Sequence, residues 1–266
     1  MDTLQWKRRL GKCYPRALLH RNSSRKIILL YHAVGNGPQA LAASLFAEQI
    51  QWLQNHCEIV SLSELLTSSV KENVIQVAIS FDDGYACLYD VVAPILSATK
   101  TPATVYINTG WMGCSTEARR LSDPNLGHYQ GEAFLTWEEV MRLSQSNWEI
   151  GSHGVNHLDF TQVPLDIAIT ELKTSKQAIE ARLNKGCKHF AYTWGKHTKQ
   201  LRKQVVAKVG YQYAAAAHHA ALTQKEDPLA FPRLNIDKDY SMDDFKAIVL
   251  GKWDYLNVIQ RVKRLL

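Results

Sequence analysis

Two adjacent carboxylates, Asp82 and Asp83 in SFDDG, directly follow the apolar run VIQVAI. Like charges at the edge of a buried strand raise each other's cost of ionisation, so the pair calls for a compensating charge. A cation would meet that need, and the chain offers further ligands for it. His153 and His157 in SHGVNH are four residues apart, which turns both imidazoles to one side if the chain coils helically there. Two histidines, one carboxylate and an open position describe a catalytic metal site rather than a structural one. Alone, DDG is most often a turn and HxxxH an accident of surface or core. Together, each at a strand end, they favour a metal centre.

The elements that must position these residues alternate. KIILLYH (26–32), VIQVAISF, PATVYIN, WEIGSH, KHFAY and YQYAAAA read as strands. Between them lie amphipathic stretches: SLFAEQIQWLQNH with Ser44 as N-cap, SLSELL with Ser61 and Glu64 at capping-box spacing, and LYDVVAPILSAT. TWEEVMRLSQS carries a second capping box in Thr136 and Glu139. A long helix runs from about Pro164 to Leu183, KQLRKQVVAKVG ends at Gly210, and MDDFKAIVLG reads as the final helix. The β-then-α order predicts a mainly parallel sheet with helices outside, a barrel or a doubly wound sheet, in which chemistry gathers at the carboxyl ends of the strands. From Thr109 to Leu135 the pattern lapses into a loop long enough to be a functional surface or lid.

The 266 residues suit one such domain, and 46% apolar with 21% charged residues excludes a disordered chain. The net charge of +6 is concentrated at the start, where Lys7, Arg8, Arg9, Lys12, Arg16, Arg21, Arg25 and Lys26 meet only one acid, Asp2. Such a leader is solvated, or touches an anionic membrane surface or an acidic glycan. Nucleic acid is not expected, because no recognised module and no interleaved aromatics accompany the charge. IILLYHAV (27–34) is too short to span a bilayer and lies too far in for a secretory segment, so the chain reads as cytoplasmic. Five scattered cysteines without a CxxC pair exclude a disulfide framework and a structural zinc site.

These motifs resemble those of the polysaccharide deacetylase family, also called NodB-homology or carbohydrate esterase family 4. SFDDG matches its first motif, HGVNH approximates its histidine pair, and FAYTWG (190–195) looks like its third motif. The resemblance covers about residues 27 to 250 and implies a distorted (β/α) barrel, with residues 1–26 as a basic leader and 27–266 as the catalytic domain. It further implies that Asp83, His153 and His157 bind one divalent metal, zinc first among the candidates, and that Asp82 is the general base. Trp194, through its main-chain N–H, and Tyr192 are assigned to the oxyanion site and the substrate wall. LYHAV is similar to the early strand end of exopolysaccharide and poly-N-acetylglucosamine deacetylases, which implies His32 as general acid.

The implied reaction is removal of N-acetyl groups from the sugars of a polysaccharide or its precursor, at the inner membrane face if the basic leader docks there. The rivals are a silent carbohydrate-binding protein of the same fold and a deacylase of another substrate. Three departures bear on them. Gly154 stands where the family has Ser or Thr, Ala191 where many members have the arginine that orients the catalytic Asp, and Thr193 with Trp194 where they have Pro and Tyr. His128, His189, His218 and His219 are read as structural or solvated, Trp111 and Tyr129 as sugar-stacking or loop-pinning aromatics, and Arg233 as a candidate for the rim.

Overall fold

The computed structural model describes residues 3–12 and 24–265. Its strands are β1 (Arg25–Tyr31), β2 (Glu58–Ile59), β3 (Ile75–Phe81), β4 (Ala103–Ile107), β5 (Trp148–Ser152), β6 (His189–Ala191), β7 (Tyr213–Ala215) and β8 (Leu234–Asn235). All pair in parallel, in the order β7-β6-β5-β4-β3-β1-β8, with β2 beside β3. The path bends round on itself. Phe231 exchanges main-chain bonds with β7, its carbonyl accepting from Ala216 and its N–H donating to Ala214, and three residues later Leu234 and Asn235 pair with β1. This is the distorted barrel that the family resemblance implied, and one of the two architectures that the alternating pattern allowed.

The central strands β1, β3 and β4 are buried on both faces, so they read as nearly continuous apolar runs, yet the period of two still sorts their residues between two cores. Ile27, Leu29 and Tyr31 of β1, Val77, Ile79 and Phe81 of β3, and Val105 and Ile107 of β4 face the outer helical layer. Ile28, Ala78 and Tyr106 face the barrel interior, with Ala191, Ala215 and Phe231. Small residues line that interior because two long side chains fill it. The guanidinium of Arg233 lies 5.3 Å from the Tyr106 ring centre, and a Cβ on Gly151 would stand 2.5 Å from the same ring.

The outer layer comprises α1 (Thr3–Lys12), α2 (Ala43–His56), α3 (Leu62–Thr67), α4 (Ala93–Ala98), α5 (Trp137–Ser144), α6 (Leu165–Leu183), α7 (Lys199–Leu201, running through a π-helical turn Arg202–Val206 into Ala207–Val209), α8 (Met242–Val249) and α9 (Tyr255–Leu265). Buried Phe46, Ile50 and Leu53 of α2 recur at helical spacing. Thr136 and Glu139 form the expected capping box on α5, and Ser61 accepts from the Glu64 N–H. Ser44 is not an N-cap: α2 begins one residue earlier, after Ala42. MDDFKAIVLG is not the last helix, because α9 follows it. Cys57, Cys87, Cys114 and Cys187 are free.

The basic start is bound to the domain at its first helix. Arg8 makes a bidentate ion pair with Asp244 of α8, and Lys7 donates to the Tyr240 hydroxyl. Arg16 and Arg21 lie outside the described residues.

His219 is buried, as the structural reading of it required, and burial, with the charges of Arg25, Lys7 and His218, pushes its pKa down to about 3 from 6.5. Its contribution is complete above the unfolded value and is lost as pH falls toward the folded one, at about 1.4 kcal/mol per pH unit. Urea unfolding at pH 7.5 and 4.5 is therefore expected to differ by about 2–3 kcal/mol from this side chain alone, and His219→Phe should remove that share of the slope.

Candidate active site

Ala78 faces the interior, so the two-residue period sends Asp82, four positions on, inward as well. There Arg233 grips it: Nη1 donates to Oδ1 at 2.6 Å and Nη2 to Oδ2 at 2.7 Å, while Nε donates to the Ala216 carbonyl at 2.9 Å. Both side chains are buried. Burial alone would raise the Asp82 pKa, but the charge and hydrogen bonds of Arg233, with His153 and His32, outweigh it and keep the carboxyl below its ordinary range. Asp82 is thus an ionised carboxylate in a dry setting.

Asp83 leaves the strand in the left-handed region at φ 70°, followed by Gly84 at φ 80°. This turn carries the Asp83 carboxylate away from Arg233 and toward the histidines. Its Oδ1 lies 3.5 Å from His153 Nε2 and 3.4 Å from His157 Nε2. The ligand atoms of the three residues all lie within 4.8 Å of one another, and the three side chains are buried. Burial would raise Asp83, yet the His157 hydrogen bond and the charges of His32, His157 and His153 hold it far below the carboxylate range. Burial pushes His153 down; for His157 the hydrogen bond and charge of Asp83 overcome burial and push it up.

The donor set fits a metal ion. His153 Nδ1–H donates to the Ala191 carbonyl and His157 Nδ1–H to the Leu126 carbonyl, each at 2.8 Å. A carbonyl only accepts, so each ring keeps a proton on Nδ1, and once His157 gives up the Nε2 proton it shares with Asp83, the Nε2 lone pairs of both histidines face that carboxylate. Two lone pairs and a carboxylate oxygen at one point are mutually repulsive without a cation between them.

The histidines do not converge by helical coiling, as the four-residue spacing suggested. The segment after β5 is a loop in which Gly154 (φ 90°) and His157 (φ 56°) are left-handed. Glu171 of α6 holds it, accepting the main-chain N–H groups of Val155 and Asn156 at 2.9 and 3.1 Å and the Asn156 amide. The departure from the family's Ser or Thr at Gly154 has a local reason: the backbone is left-handed there, and a Cβ would meet the Phe160 ring at 2.9 Å. Gly154→Ser, although it approaches the family motif, is expected to lower stability by about 1–3 kcal/mol and to weaken metal binding. A thermal melt beside a metal titration checks both.

His32, at the carboxyl end of β1, is half-buried and stacks on Tyr129, ring centres 5.3 Å apart, and Tyr129 also stacks on Tyr85 at 5.7 Å. The Tyr85 hydroxyl accepts the Tyr129 N–H at 2.8 Å, so Tyr129 both pins the long loop and backs His32. Trp111 packs on His128 and Phe134 and serves the loop's own core. Trp194 is 48% exposed and left-handed at φ 52°. Its ring lies 4.6 Å from that of His157 and over Gly127, walling the metal trio. Tyr192 does not join this wall. It is wholly buried and its hydroxyl donates to the Leu229 carbonyl, so it supports the third motif from the core and is out of reach of a substrate.

Sequence reading missed three supports: Arg233 as the partner of Asp82, the Glu171 clamp, and the Leu126 carbonyl on His157. The only signal for the first was the absence of an arginine at Ala191, which required a cation from elsewhere.

A family model described as polysaccharide deacetylase matches residues 69–214. The poly-beta-1,6-N-acetyl-D-glucosamine N-deacetylase of Staphylococcus aureus is 24% identical over 224 residues, covering 81% of this chain and 72% of the relative. Among solved structures, IcaB from Ammonifex degensii has a TM-score of 0.72 at 18% identity, covering 86% of this chain and 97% of that one. The Streptococcus pyogenes deacetylase PplD in complex with acetate has a TM-score of 0.71 at 23% identity, covering 85% and 98%. Likeness at these identities speaks for the barrel.

Proposed function

The chain belongs to the polysaccharide deacetylase family and is an enzyme that removes N-acetyl groups from polysaccharide, and on that premise we propose that its substrate is a polymer of N-acetylglucosamine or its lipid-linked or cytoplasmic precursor. The observation that carries this reading is the gathering of Asp83, His153 and His157 within 4.8 Å beside an Asp82 held ionised by Arg233. The name of the Staphylococcus aureus relative supports the choice of sugar. A biosynthetic intermediate at the inner membrane face is the proposed setting, and recovery of the enzyme only outside the cytoplasm would overturn that.

Asp83, His153 and His157 would hold one divalent ion; zinc is proposed, and cobalt, nickel and iron suit the same donors. Such an ion supplies Lewis acidity for an amide carbonyl and acidifies water. Asp82 takes the proton of the attacking water at a carboxylate oxygen, which Arg233 keeps free of a proton of its own. His32, beside both carboxylates and open on one side, delivers a proton to the nitrogen of the departing amine. The Trp194 main-chain N–H serves the developing oxyanion, and its ring excludes water from the His157 side.

The silent-binder rival drew its force from the Ala191 and Trp194 changes; Arg233 removes the first reason, because it gives Asp82 the partner that Ala191 does not. The test is acetate release from N-acetylglucosamine oligomers by metal-loaded protein. Chelation is expected to reduce release at least a hundredfold, and zinc or cobalt to restore it. Glycan binding without any release would favour the silent binder, and release only from other acylated substrates would favour the second rival.

A further inference from the structure

The two terminal helices lie side by side. The Tyr255 hydroxyl of α9 donates to the Lys7 carbonyl of α1 at 2.6 Å, and the Tyr255 and Trp6 rings meet edge-on at 6.4 Å. The sequence of α1 contains four Lys or Arg and that of α9 three, and neither contains Asp or Glu. Three of the exposed large apolar side chains of the described residues belong to this pair: Trp6 and Leu10, both 37% exposed, and Val258, 63% exposed. Trp6 and Leu10 are one turn apart on one face of α1, and Val258 is one turn beyond the Tyr255 that touches Trp6. Arg9, between Trp6 and Leu10 in sequence, is exposed. Arg8 and Lys7 face the domain instead and anchor the pair on Asp244 and Tyr240.

We propose that α1 and α9 together form a platform that docks on an anionic lipid bilayer. Basic charge alone would equally suit nucleic acid or an acidic glycan; exposed tryptophan and aliphatic side chains beside the exposed Arg9, on two helices whose sequences are basic and contain no acid, suit the headgroup boundary of a membrane. No helix among the described residues is long and apolar enough to cross one, so the contact is peripheral. It depends on tertiary structure, because each helix supplies only part of the apolar surface. The platform is independent of the reaction and of the substrate assigned above.

The full chain is sedimented with vesicles of phosphatidylcholine alone and of phosphatidylcholine with a third phosphatidylglycerol, at low and high salt. Wild type is expected to bind the anionic vesicles at least about tenfold more tightly than the neutral ones, with the difference shrinking at high salt. Arg9→Glu and Val258→Asp should each weaken anionic binding by about tenfold, and Trp6→Ser by several-fold, while melting temperature and acetate release from soluble oligomers stay at the wild-type level. Equal binding to both vesicles, no binding, or binding unchanged in all three variants would overturn the proposal. So would a lipid-free dimer that Val258→Asp dissolves, which would assign the face to a second copy of the chain.

Discussion

Arg233→Ala is expected to cost about 3–5 kcal/mol of stability, because it strands the Asp82 carboxylate in the barrel without its counter-ion. Both members of the pair are buried, so bulk solvent does not replace two bonds at 2.6 and 2.7 Å. The protein's response is to protonate Asp82. Its pKa then rises, since burial is no longer outweighed, and the acid limb of the pH–rate profile moves to higher pH. At neutral pH turnover should fall by about a hundredfold or more. Arg233→Lys should recover little, since one ammonium does not bridge both carboxylate oxygens. A paired replacement, Asp82→Leu with Arg233→Met, should regain most of the lost stability and remain inactive. Wild-type melting and an unshifted pH profile in Arg233→Ala would refute the assignment.

Asp82→Asn separates catalysis from metal binding. The amide cannot take a proton from water, so acetate release should drop by about a thousandfold, while Asp83, His153 and His157 still bind the ion with near-native stoichiometry. Asp83→Asn should do the reverse, losing the metal first and activity as a consequence. The Asp82→Asn protein should also lose about 1–3 kcal/mol, because Arg233 would face a neutral group in place of a charge. Retention of more than about a tenth of the activity would show that another group is the base. Metal loss in Asp82→Asn would mean that the two carboxylates have shared or exchanged roles.

These experiments test a division of labour that the backbone imposes. Asp82 and Asp83 are neighbours with the same side chain, yet one faces Arg233 and the other faces two imidazoles. The regular strand period directs the first, and the left-handed turn at Asp83 and Gly84 directs the second. The Gly84 position is confined as well as turned, since a Cβ there would lie 3.0 Å from Ile107.

Much of this molecule was legible in its amino-acid order. Apolar runs of strand length alternating with amphipathic stretches determined a mainly parallel α/β sheet, with the family motifs pointing to the barrel, and the capping box of Thr136 and Glu139 set a helix start. The histidine pair and the adjacent carboxylates were legible because each sits within a few residues of a strand end, where such chemistry gathers; the choice of Asp83 as the ligand came from the family resemblance. What the sequence could not determine were the partners of those residues. Asp82 and Arg233 are 151 positions apart, and Glu171 and Leu126 reach the histidine loop from a helix and a loop with no motif of their own. Tyr192, which the resemblance assigned to the substrate wall, is turned into the core, and α1 and α9 meet where α8 anchors one and leads into the other. The physical reason is the range of the interactions. Hydrophobic period, caps and turns act over a few residues, whereas a buried charge accepts compensation from any cation that closure of the barrel brings near. Only the folded chain, by joining residues 231–235 to both β7 and β1, decided that the cation is Arg233.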